Sequence, residues 1–316
     1  MKPGNDFRII SVAGFKRRVL QEIVADILEN IHCGYKRDFS NGGSGREAAT
    51  NEVIHLIENE KNDFVVVGDF SNFFGSIEHS YIRELLKEFP DAVISHVILN
   101  AKAPLSVSGI SKLSIETSAF KKMARLGIPQ GSPASPRIAS ALLRVIFKGI
   151  APEGNIVAYR DDFVICTSSL SEANEIKNAL LSRLGSHIAG PFELKIIDAK
   201  AVKDKFDFLN YRFRFYWWST VPRKVFVSPN TTAFNNLKDK MRKAAHLKHN
   251  KHFEKDVWSA AKGWLDGHAS WKYTSSGLLD VTNKARDFLI DEFDRRALPC
   301  PEYLTQPIEC KNVLFT

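Results

Sequence analysis

Apolar positions recur at helical spacing near the start of the chain. Between residues 17 and 31 they stand three and four positions apart, which predicts an amphipathic helix with one apolar face on a core. That face would consist of Val19, Leu20, Ile23, Val24, Ile27, Leu28 and Ile31. The stretch DFSNGGSGREAA has the composition of a loop, and a second helical pattern follows it at about residues 46–58.

A run of β-branched residues comes next. DFVVVGDF predicts a short buried strand that ends on Asp69, because apolar β-branched residues between polar ones are typical of a central strand. A helix is predicted from about residue 79 to 88. GIPQGSPASP then opens another helix, whose apolar stripe comprises Ile138, Ala141, Leu142, Val145 and Ile146.

The second half of the chain begins with a hairpin pattern. NIVAYRDDFVICTSS predicts two strands joined by a tight turn at Arg160 and Asp161. A helix is predicted over residues 171–184, and ELKII, FDFLNYRFRFYW and KVFVS predict further strands. Beyond Pro229 the pattern changes to helices rich in Lys, Arg and His, so we place a subdomain boundary near residue 228.

Composition and charge narrow the class of protein. The 316 residues are 44% apolar and 25% charged, which is ordinary for a folded globular protein. Lys and Arg number 44 against 36 Asp and Glu, and the net charge of +8 suits a polyanion such as nucleic acid or an anionic membrane surface. The sequence lacks a signal-peptide pattern and a bilayer-spanning apolar stretch, so we expect a cytoplasmic protein without a membrane partner. The four cysteines form no CxxC pair, which argues against a zinc site or a disulfide framework.

Two adjacent carboxylates stand at the predicted hairpin tip. A bound cation relieves the repulsion between like charges as close as those of Asp161 and Asp162. Phosphoryl transfer to a growing chain uses two divalent ions held by clustered carboxylates, and magnesium prefers oxygen ligands. Asp69, at the end of the buried strand, is the third candidate. Taken alone, the Asp-Asp pair would also fit an ordinary solvated turn.

The order of five segments favours the metal site over the solvated turn. The strand ending on Asp69 is followed by GIPQGSPASP, the YRDD hairpin, LKIIDAK and FLNY. In this order and spacing the segments resemble motifs A to E of the reverse-transcriptase family, over residues 8 to 220. The resemblance implies an α+β right-hand polymerase. Fingers and a palm, made of an antiparallel sheet with flanking helices, would occupy residues 1–228, and a helical thumb would occupy residues 229–316.

The resemblance also implies a ligand set. Asp69, Asp161 and Asp162 would bind two Mg²⁺ ions, with Mn²⁺ as an alternative, and the backbone carbonyl of Phe70 would lie beside the metal. Asp161 is favoured for direct ligation within the YxDD pair.

Four further positions match residues that act on the incoming nucleotide in this family. Phe74 matches the aromatic residue that excludes a 2′-hydroxyl, which implies dNTP substrates; ordinary core packing is the alternative. Gln130 and Gly131 match the turn that lines the nucleotide pocket. Lys200 matches the lysine proposed to protonate the leaving pyrophosphate, and a solvated lysine at a strand end is its alternative.

Basic residues are candidates for phosphate contacts. KPGNDFRII resembles the finger segment that grips the triphosphate, and we favour Arg8 over Lys2 because a guanidinium can form two parallel hydrogen bonds to phosphate. Arg17 and Arg18 compete for the same role. Arg160 fills the variable position of YxDD, which is usually small or apolar, and we hypothesise that it contacts a phosphate of the primer or of a protein-linked product.

The C-terminal third carries a basic helical segment. Lys238, Arg242 and Lys243 are the candidate contacts to a nucleic-acid backbone, and a solvated basic face is the alternative. Trp264, Trp271 and Tyr273 have near-helical spacing and are predicted to form the core of the thumb, with a base-stacking platform as the alternative.

FLNY resembles the segment that holds the primer in this family. Asn210 stands there where glycine is frequent, so the sequence leaves the geometry of this turn open.

These features predict an RNA-directed DNA polymerase that extends a primer with dNTPs in a bacterial retroelement or anti-phage defence system. Its expected partners are an RNA template, in particular a dedicated non-coding RNA, and the DNA product; an accessory protein or a second copy of the chain are further candidates. Two alternatives stay open. One is a template-independent or protein-primed DNA polymerase of the same fold, and the other is a nucleic-acid-binding scaffold with a vestigial active site.

Overall fold

The computed structural model describes residues 10–31, 37–40, 45–60, 62–99, 117–185, 187, 193–201, 205–216, 224–246, 251–271 and 275–306. The chain divides into two compact units. The first comprises Met1–Ala49 and Glu60–Ala201, and the second comprises Thr50–Asn59 and Val202–Thr316.

The first unit is built on a four-stranded antiparallel sheet. Its strands are β1 (Phe64–Ser71), β2 (Ile156–Tyr159), β3 (Asp162–Thr167) and β4 (Glu193–Ala201), in the order β2-β3-β1-β4. The three consecutive valines of β1 favour a strand because β-branched side chains pack well on a pleated surface. The predicted hairpin is confirmed: β2 and β3 pair directly on either side of the turn at Arg160 and Asp161.

Helices accompany this sheet. They are α1 (Phe15–Ile31), α2 (Gly45–Glu58), α3 (Phe73–Ser76), α4 (His79–Leu85), α5 (Asp91–Val93), α6 (Thr117–Met123), α7 (Ala134–Phe147) and α8 (Leu170–Gly185). Residues of α2 from Thr50 onwards belong to the second unit. The first turn of α7 contains Pro136, at a position where the missing N–H removes no intrahelical hydrogen bond. α8 contacts β1, β3 and β4.

A hydrophobic core joins the sheet to α7 and α8. Val66, Phe70 and Phe163 from the strands belong to one buried cluster with Leu142 of α7 and Leu180 of α8. The ring centroids of Phe70 and Phe163 lie 5.5 Å apart. Burial of each large apolar side chain contributes about 1.5–3 kcal/mol. This core therefore fixes β1 and β3, the two strands that carry the candidate carboxylates.

α1 forms where it was predicted, but the prediction of its buried face was mostly wrong. Of the seven predicted residues only Val24 and Leu28 are buried, while Val19, Leu20, Ile23, Ile27 and Ile31 are 40% to 49% exposed. The buried face of α1 instead comprises Gln21, Val24, Ala25 and Leu28, so it includes a polar residue that apolar periodicity does not reveal. Gln21, which is 2% exposed, donates to the carbonyl of Val97 at 3.0 Å.

Two smaller predictions also need correction. Val145 of α7 is 44% exposed, although Ile138, Ala141, Leu142 and Ile146 of the predicted stripe are buried. α4 ends at Leu85 rather than at residue 88. The residues after it form a turn in which Phe89 donates to the carbonyl of Leu86.

Among the described residues, the second unit contains a three-stranded antiparallel sheet, the part of α2 from Thr50 onwards and four further α-helices. The strands are β5 (Phe206–Phe208), β6 (Tyr211–Tyr216) and β7 (Lys224–Pro229), and the helices are α9 (Thr231–His246), α10 (Phe253–Asp266), α11 (Ser275–Arg295) and α12 (Glu302–Thr305). The division between the compact units follows Ala201, so these strands group with the C-terminal helices. The boundary near residue 228 stays a prediction about functional subdomains.

Within the described part of the chain, no helix is long and apolar enough to cross a membrane.

Candidate active site

The three candidate carboxylates lie at one end of the sheet in the first unit. Asp69 of β1 is paired directly with Asp162 of β3, and Asp161 precedes Asp162 in the hairpin turn. The N–H of Phe70 donates to the carbonyl of Asp161 at 3.4 Å, which ties the turn to β1. Residues directly opposite each other in an antiparallel pair have Cβ atoms about 4.5–5.5 Å apart. The strand register therefore places Asp69 beside Asp162.

The candidate carboxylates are more exposed than the residues beside them on the same face of the sheet. Side chains alternate between the two faces of a strand, so Asp69 shares a face with Val67 and Val65. Those valines are at most 5% exposed, whereas Asp69 is exposed and Asp161 and Asp162 are half-buried. The carboxylates thus stand at the edge of an apolar surface, where water and a ligand can reach them.

The donor set fits a divalent cation. Three carboxylates supply only oxygen ligands, which Mg²⁺ prefers, and such sites usually keep several waters or substrate oxygens as additional ligands. Across the described ranges, no group of three or more His, Cys, Asp and Glu side chains is already arranged to hold a metal ion.

Phe70 and Phe74 have different surroundings. Phe70 is 2% exposed, and its ring centroid lies 4.8 Å from that of Phe73, so its side chain belongs to the core. Its predicted contact to a metal would use the backbone carbonyl. Phe74 of α3 is half-buried, and its carbonyl accepts the N–H of Ile128 at 2.8 Å. This bond links Phe74 to the segment that leads to Gln130.

The turn at Gln130 and Gly131 is held by the N-terminal segment. The carbonyl of Gln130 accepts the N–H of Ser11 at 2.7 Å, and that of Gly131 accepts a hydrogen bond from Arg18 at 3.0 Å. Gly131 has a φ of +104°, and a Cβ atom there would stand 2.8 Å from the carbonyl oxygen of Ser11. Both the conformation and the close approach require glycine. Sequence reasoning missed Ser11, because nothing local marks this contact across more than a hundred residues.

Of the basic residues predicted to contact the triphosphate, Arg8 and Lys2 lie outside the described residues, so their contacts stay predictions. The competing residue Arg17 makes contacts within the fold. Arg17 donates to the carbonyls of Val97 and Leu99, and burial lowers the pKa of its guanidinium. These two hydrogen bonds join α1 to the segment that contains Val97 and Leu99.

Arg160 occupies the hairpin turn in a left-handed conformation, with a φ of +60°. Its side chain is exposed, and Cζ lies 5.3 Å from the centroid of the Tyr159 ring, within the range of a cation–π contact. The guanidinium therefore lies against Tyr159 and is open to solvent, on the residue that precedes Asp161.

The register of β4 bears on the lysine expected to act on pyrophosphate. Lys200 is paired with Val65, four positions along β1 from Asp69, whereas Lys195 is paired with Asp69 itself. Four residues of a strand correspond to about 13 Å. Side chains of β4 are outside the described part of the structure, so the role of Lys200 stays a prediction.

The FLNY segment of the second unit forms a two-residue hairpin turn. Leu209 and Asn210 have φ values of +51° and +68°, the signs required by a type I′ turn, and asparagine adopts this conformation readily. Asn210 also accepts the N–H of Asn230 at 2.8 Å through its carbonyl. Asn210 is therefore compatible with the turn although it stands where glycine is frequent.

α9 exposes the predicted basic residues. Lys238, Arg242 and Lys243 are all exposed, and Arg242 lies 3.2 Å from Asp239 in an ion pair open to solvent. Their contact to nucleic acid stays a prediction. The predicted aromatic core is confirmed for Trp264 and Trp271, which are 3% and 7% exposed; Tyr273 falls outside the described residues.

An antiparallel sheet that presents carboxylates from a strand end and an adjacent hairpin, with helices beside it, is the palm of a right-hand polymerase fold. Residues 1–213 match the family described as reverse transcriptase (RNA-dependent DNA polymerase). The chain belongs to this family, which confirms the resemblance drawn from the motifs. The family acts as RNA-directed DNA polymerases, or nucleotidyltransferases, and its members generally depend on divalent metal ions. No curated protein matches the chain.

Solved telomerase structures are similar at low identity. Apo telomerase from Candida tropicalis matches with a TM-score of 0.41 and 12% identity, covering 89% of this chain and 55% of that one. Telomerase from Candida albicans, in complex with a TWJ fragment of telomeric RNA, matches with a TM-score of 0.39 and 12% identity, covering 91% and 54%. A C-terminally truncated form of the Candida tropicalis protein matches with a TM-score of 0.40 and 12% identity, covering 68% of this chain and 45% of that one. The chain spans about half the length of these structures.

Proposed function

We propose that this protein is an RNA-directed DNA polymerase that extends a primer with dNTPs, using Mg²⁺ held by Asp69, Asp161, Asp162 and the carbonyl of Phe70. The observation that carries the proposal is the direct pairing of Asp69 with Asp162, with Asp161 in the adjoining turn. When bound, the metal supplies activation of the primer hydroxyl and charge neutralisation at the leaving pyrophosphate. The carboxylates hold it, and the buried strands beneath keep them in register.

Residues around the carboxylates would set substrate choice and orientation. Phe74 is proposed to pack under the sugar, and the turn of Gln130 and Gly131 to line the base. Arg160, exposed beside the carboxylates, is proposed to bind a phosphate of the primer or of a protein-linked product. If Arg160→Ala leaves primer use, initiation and processivity unchanged, Arg160 has no such role.

Primer extension on an RNA template tests the proposed activity. We expect wild-type protein to extend the primer with dNTPs and Mg²⁺, and the separate variants Asp69→Asn and Asp162→Asn to lose extension, because each removes one charged ligand of the cation. Asp26→Asn on α1 changes an exposed carboxylate outside the site and should extend normally. Extension that survives both Asp69→Asn and Asp162→Asn would contradict the proposal.

The proposal that Lys200 of β4 donates a proton to the leaving pyrophosphate can be tested by substitution. Lys200→Ala should lower kcat if Lys200 has this role. Lys195→Ala is the matched comparison, because the register places Lys195 opposite Asp69. A larger loss of kcat in Lys195→Ala than in Lys200→Ala would move the role to Lys195.

Further measurements on the same protein distinguish template-directed synthesis from the alternative functions. Intact-mass measurement after incubation with dNTPs would reveal a covalent nucleotide ladder on the protein if synthesis were protein-primed. Template-independent synthesis would persist after the RNA template is omitted. A scaffold with a vestigial site would instead keep full biological activity in the Asp161→Ala, Asp162→Ala double variant.

We further propose that the biological setting is a bacterial retroelement or anti-phage defence system with a dedicated non-coding RNA template, acting in the cytoplasm. Sequencing of the nucleic acid that copurifies with the protein tests this. One recurrent RNA with its complementary DNA would support the proposal, and a random sample of cellular RNA would contradict it.

A further inference from the structure

Residues 37–40 run along β2, the strand at one edge of the sheet in the first unit. Asp38 forms a parallel bridge with Ala158. The N–H of Ala158 donates to the carbonyl of Arg37 at 3.1 Å, and the N–H of Phe39 donates to the carbonyl of Ala158 at 3.0 Å. This segment is therefore fixed by backbone hydrogen bonds to β2. That strand leads into the turn at Arg160 and Asp161, called the catalytic turn below.

The segment ends in a side chain that contacts the turn itself. The hydroxyl oxygen of Ser40 accepts the N–H of Arg160 at 2.6 Å. Arg160 has a φ of +60°, a conformation that costs free energy in residues other than glycine and persists only where surrounding contacts hold it. The bond from Arg160 to Ser40 is such a contact, since it would break if the peptide before Arg160 turned away.

Ser40 is in turn held by Asp38. One carboxylate oxygen of Asp38 accepts the N–H of Ser40 at 2.9 Å. The other accepts the hydroxyl of Ser140, which is 2% exposed on α7. Asp38 thus joins the helix that follows the Gln130 turn to the residue that contacts Arg160.

We infer that Ser40 and Asp38 are positioning residues for the catalytic turn. They hold Arg160 in its left-handed conformation and so set the direction in which Asp161 and Asp162 present their carboxylates. This role rests on the proposed function. Residues 37–40, more than a hundred residues away in sequence, would then help to orient the carboxylates at the proposed metal-binding end of the palm.

Ser40→Ala in the full chain tests the inference by kinetics. Loss of this single hydrogen bond should lower kcat for primer extension about three- to tenfold. The KM for dNTP should stay near its original value, and the Mg²⁺ concentration for half-maximal activity should rise. Ser40→Thr keeps the hydroxyl and should restore kcat. Ser171→Ala removes an exposed serine hydroxyl on α8 and should behave as wild type.

A second variant separates positioning of the turn from general stability. Glycine adopts a positive φ at little cost, so Arg160→Gly should make the turn less dependent on Ser40. We therefore expect Ser40→Ala to lower kcat less in the Arg160→Gly protein than in the protein that retains Arg160. An equal loss in both proteins, together with a lower Tm, would show that Ser40 only anchors its own segment and would overturn the inference.

Mn²⁺ binding provides a readout that does not require turnover. Titration followed by electron paramagnetic resonance should give a weaker Kd for Ser40→Ala than for wild type, with Ser40→Thr close to wild type. Unchanged Mn²⁺ affinity, or unchanged kcat in a wild-type protein that extends primers, would overturn the inference. A wild-type protein that never extends primers would contradict the proposed function alone, because the Mn²⁺ titration still decides the role of Ser40.

Discussion

Gly68 lies on β1 opposite Phe163, and a Cβ atom at this glycine would clash with Cζ of the Phe163 ring. Gly68→Ala must therefore displace a ring that is fully buried beside Asp162. We expect a loss of about 1–3 kcal/mol in the free energy of unfolding, as for other overpacked cores, measured by denaturant titration. A Cβ atom at Gly263, in the last turn of α10, would meet open space beyond its own helix backbone, so Gly263→Ala should instead stabilise by about 0.5–1 kcal/mol. Equal stability of the two variants would contradict this.

The proposal that Phe74 excludes a 2′-hydroxyl can be tested by reducing the size of this side chain. Because Phe74 is half-buried and fixed through its carbonyl, Phe74→Val should open space under the sugar without moving the backbone. We expect the ratio of kcat/KM for dNTP over rNTP to fall, roughly 10- to 200-fold, the scale on which a pocket discriminates small groups.

Phe89→Val provides the matched control for the choice of sugar, since Phe89 is also partly buried against the same core. It should leave that ratio unchanged. If Phe74→Val leaves the ratio unchanged as well, Phe74 is a packing residue, as the alternative interpretation of the sequence holds.

α1 provides the clearest test at the scale of an element. Leu28 is 1% exposed and Ile27 is 40% exposed, although both belong to the apolar stripe predicted from periodicity. Leu28→Ala should cost about 2–5 kcal/mol in the free energy of unfolding, and Ile27→Ala about 0.5 kcal/mol or less. Equal costs measured for these two neighbours would mean that α1 packs through the predicted stripe rather than through the face that carries Gln21.

The basic residues of α9, rather than the net charge of the whole molecule, should govern its affinity for nucleic acid. Replacing Lys238, Arg242 and Lys243 together by Ala should weaken binding at low salt. It should also reduce the slope of log K against log salt by about 0.7–0.9 for each phosphate that is no longer neutralised by a basic side chain. Binding measured over a range of salt concentrations gives this slope.

A control with the same loss of three positive charges replaces the exposed residues Lys87, Arg125 and Lys148 of the first unit. It should leave most of the slope intact. Equal effects of the two triple variants would mean that binding follows the net charge of +8 rather than a surface on α9.

Local patterns in the sequence predict the strands and the hairpin, and the order and spacing of five such segments predict the family. The valines before Asp69 predict β1, and YRDD between two β-rich runs predicts the turn that carries Asp161 and Asp162. Local patterns also located α1 and α7 within a few residues. They do so because propensity and periodicity act over one element at a time.

The buried side of α1 and the contacts that hold the candidate site together follow only from the folded chain. Ser11 bonds to Gln130, and Ser40 to Arg160, across more than a hundred residues of chain. Gln21 lies on the buried side of α1 and bonds to Val97, a polar contact that an apolar stripe does not predict. These contacts form between groups that are distant in sequence and small or polar, so they leave no periodic signal, and their effect exists only once the chain is folded.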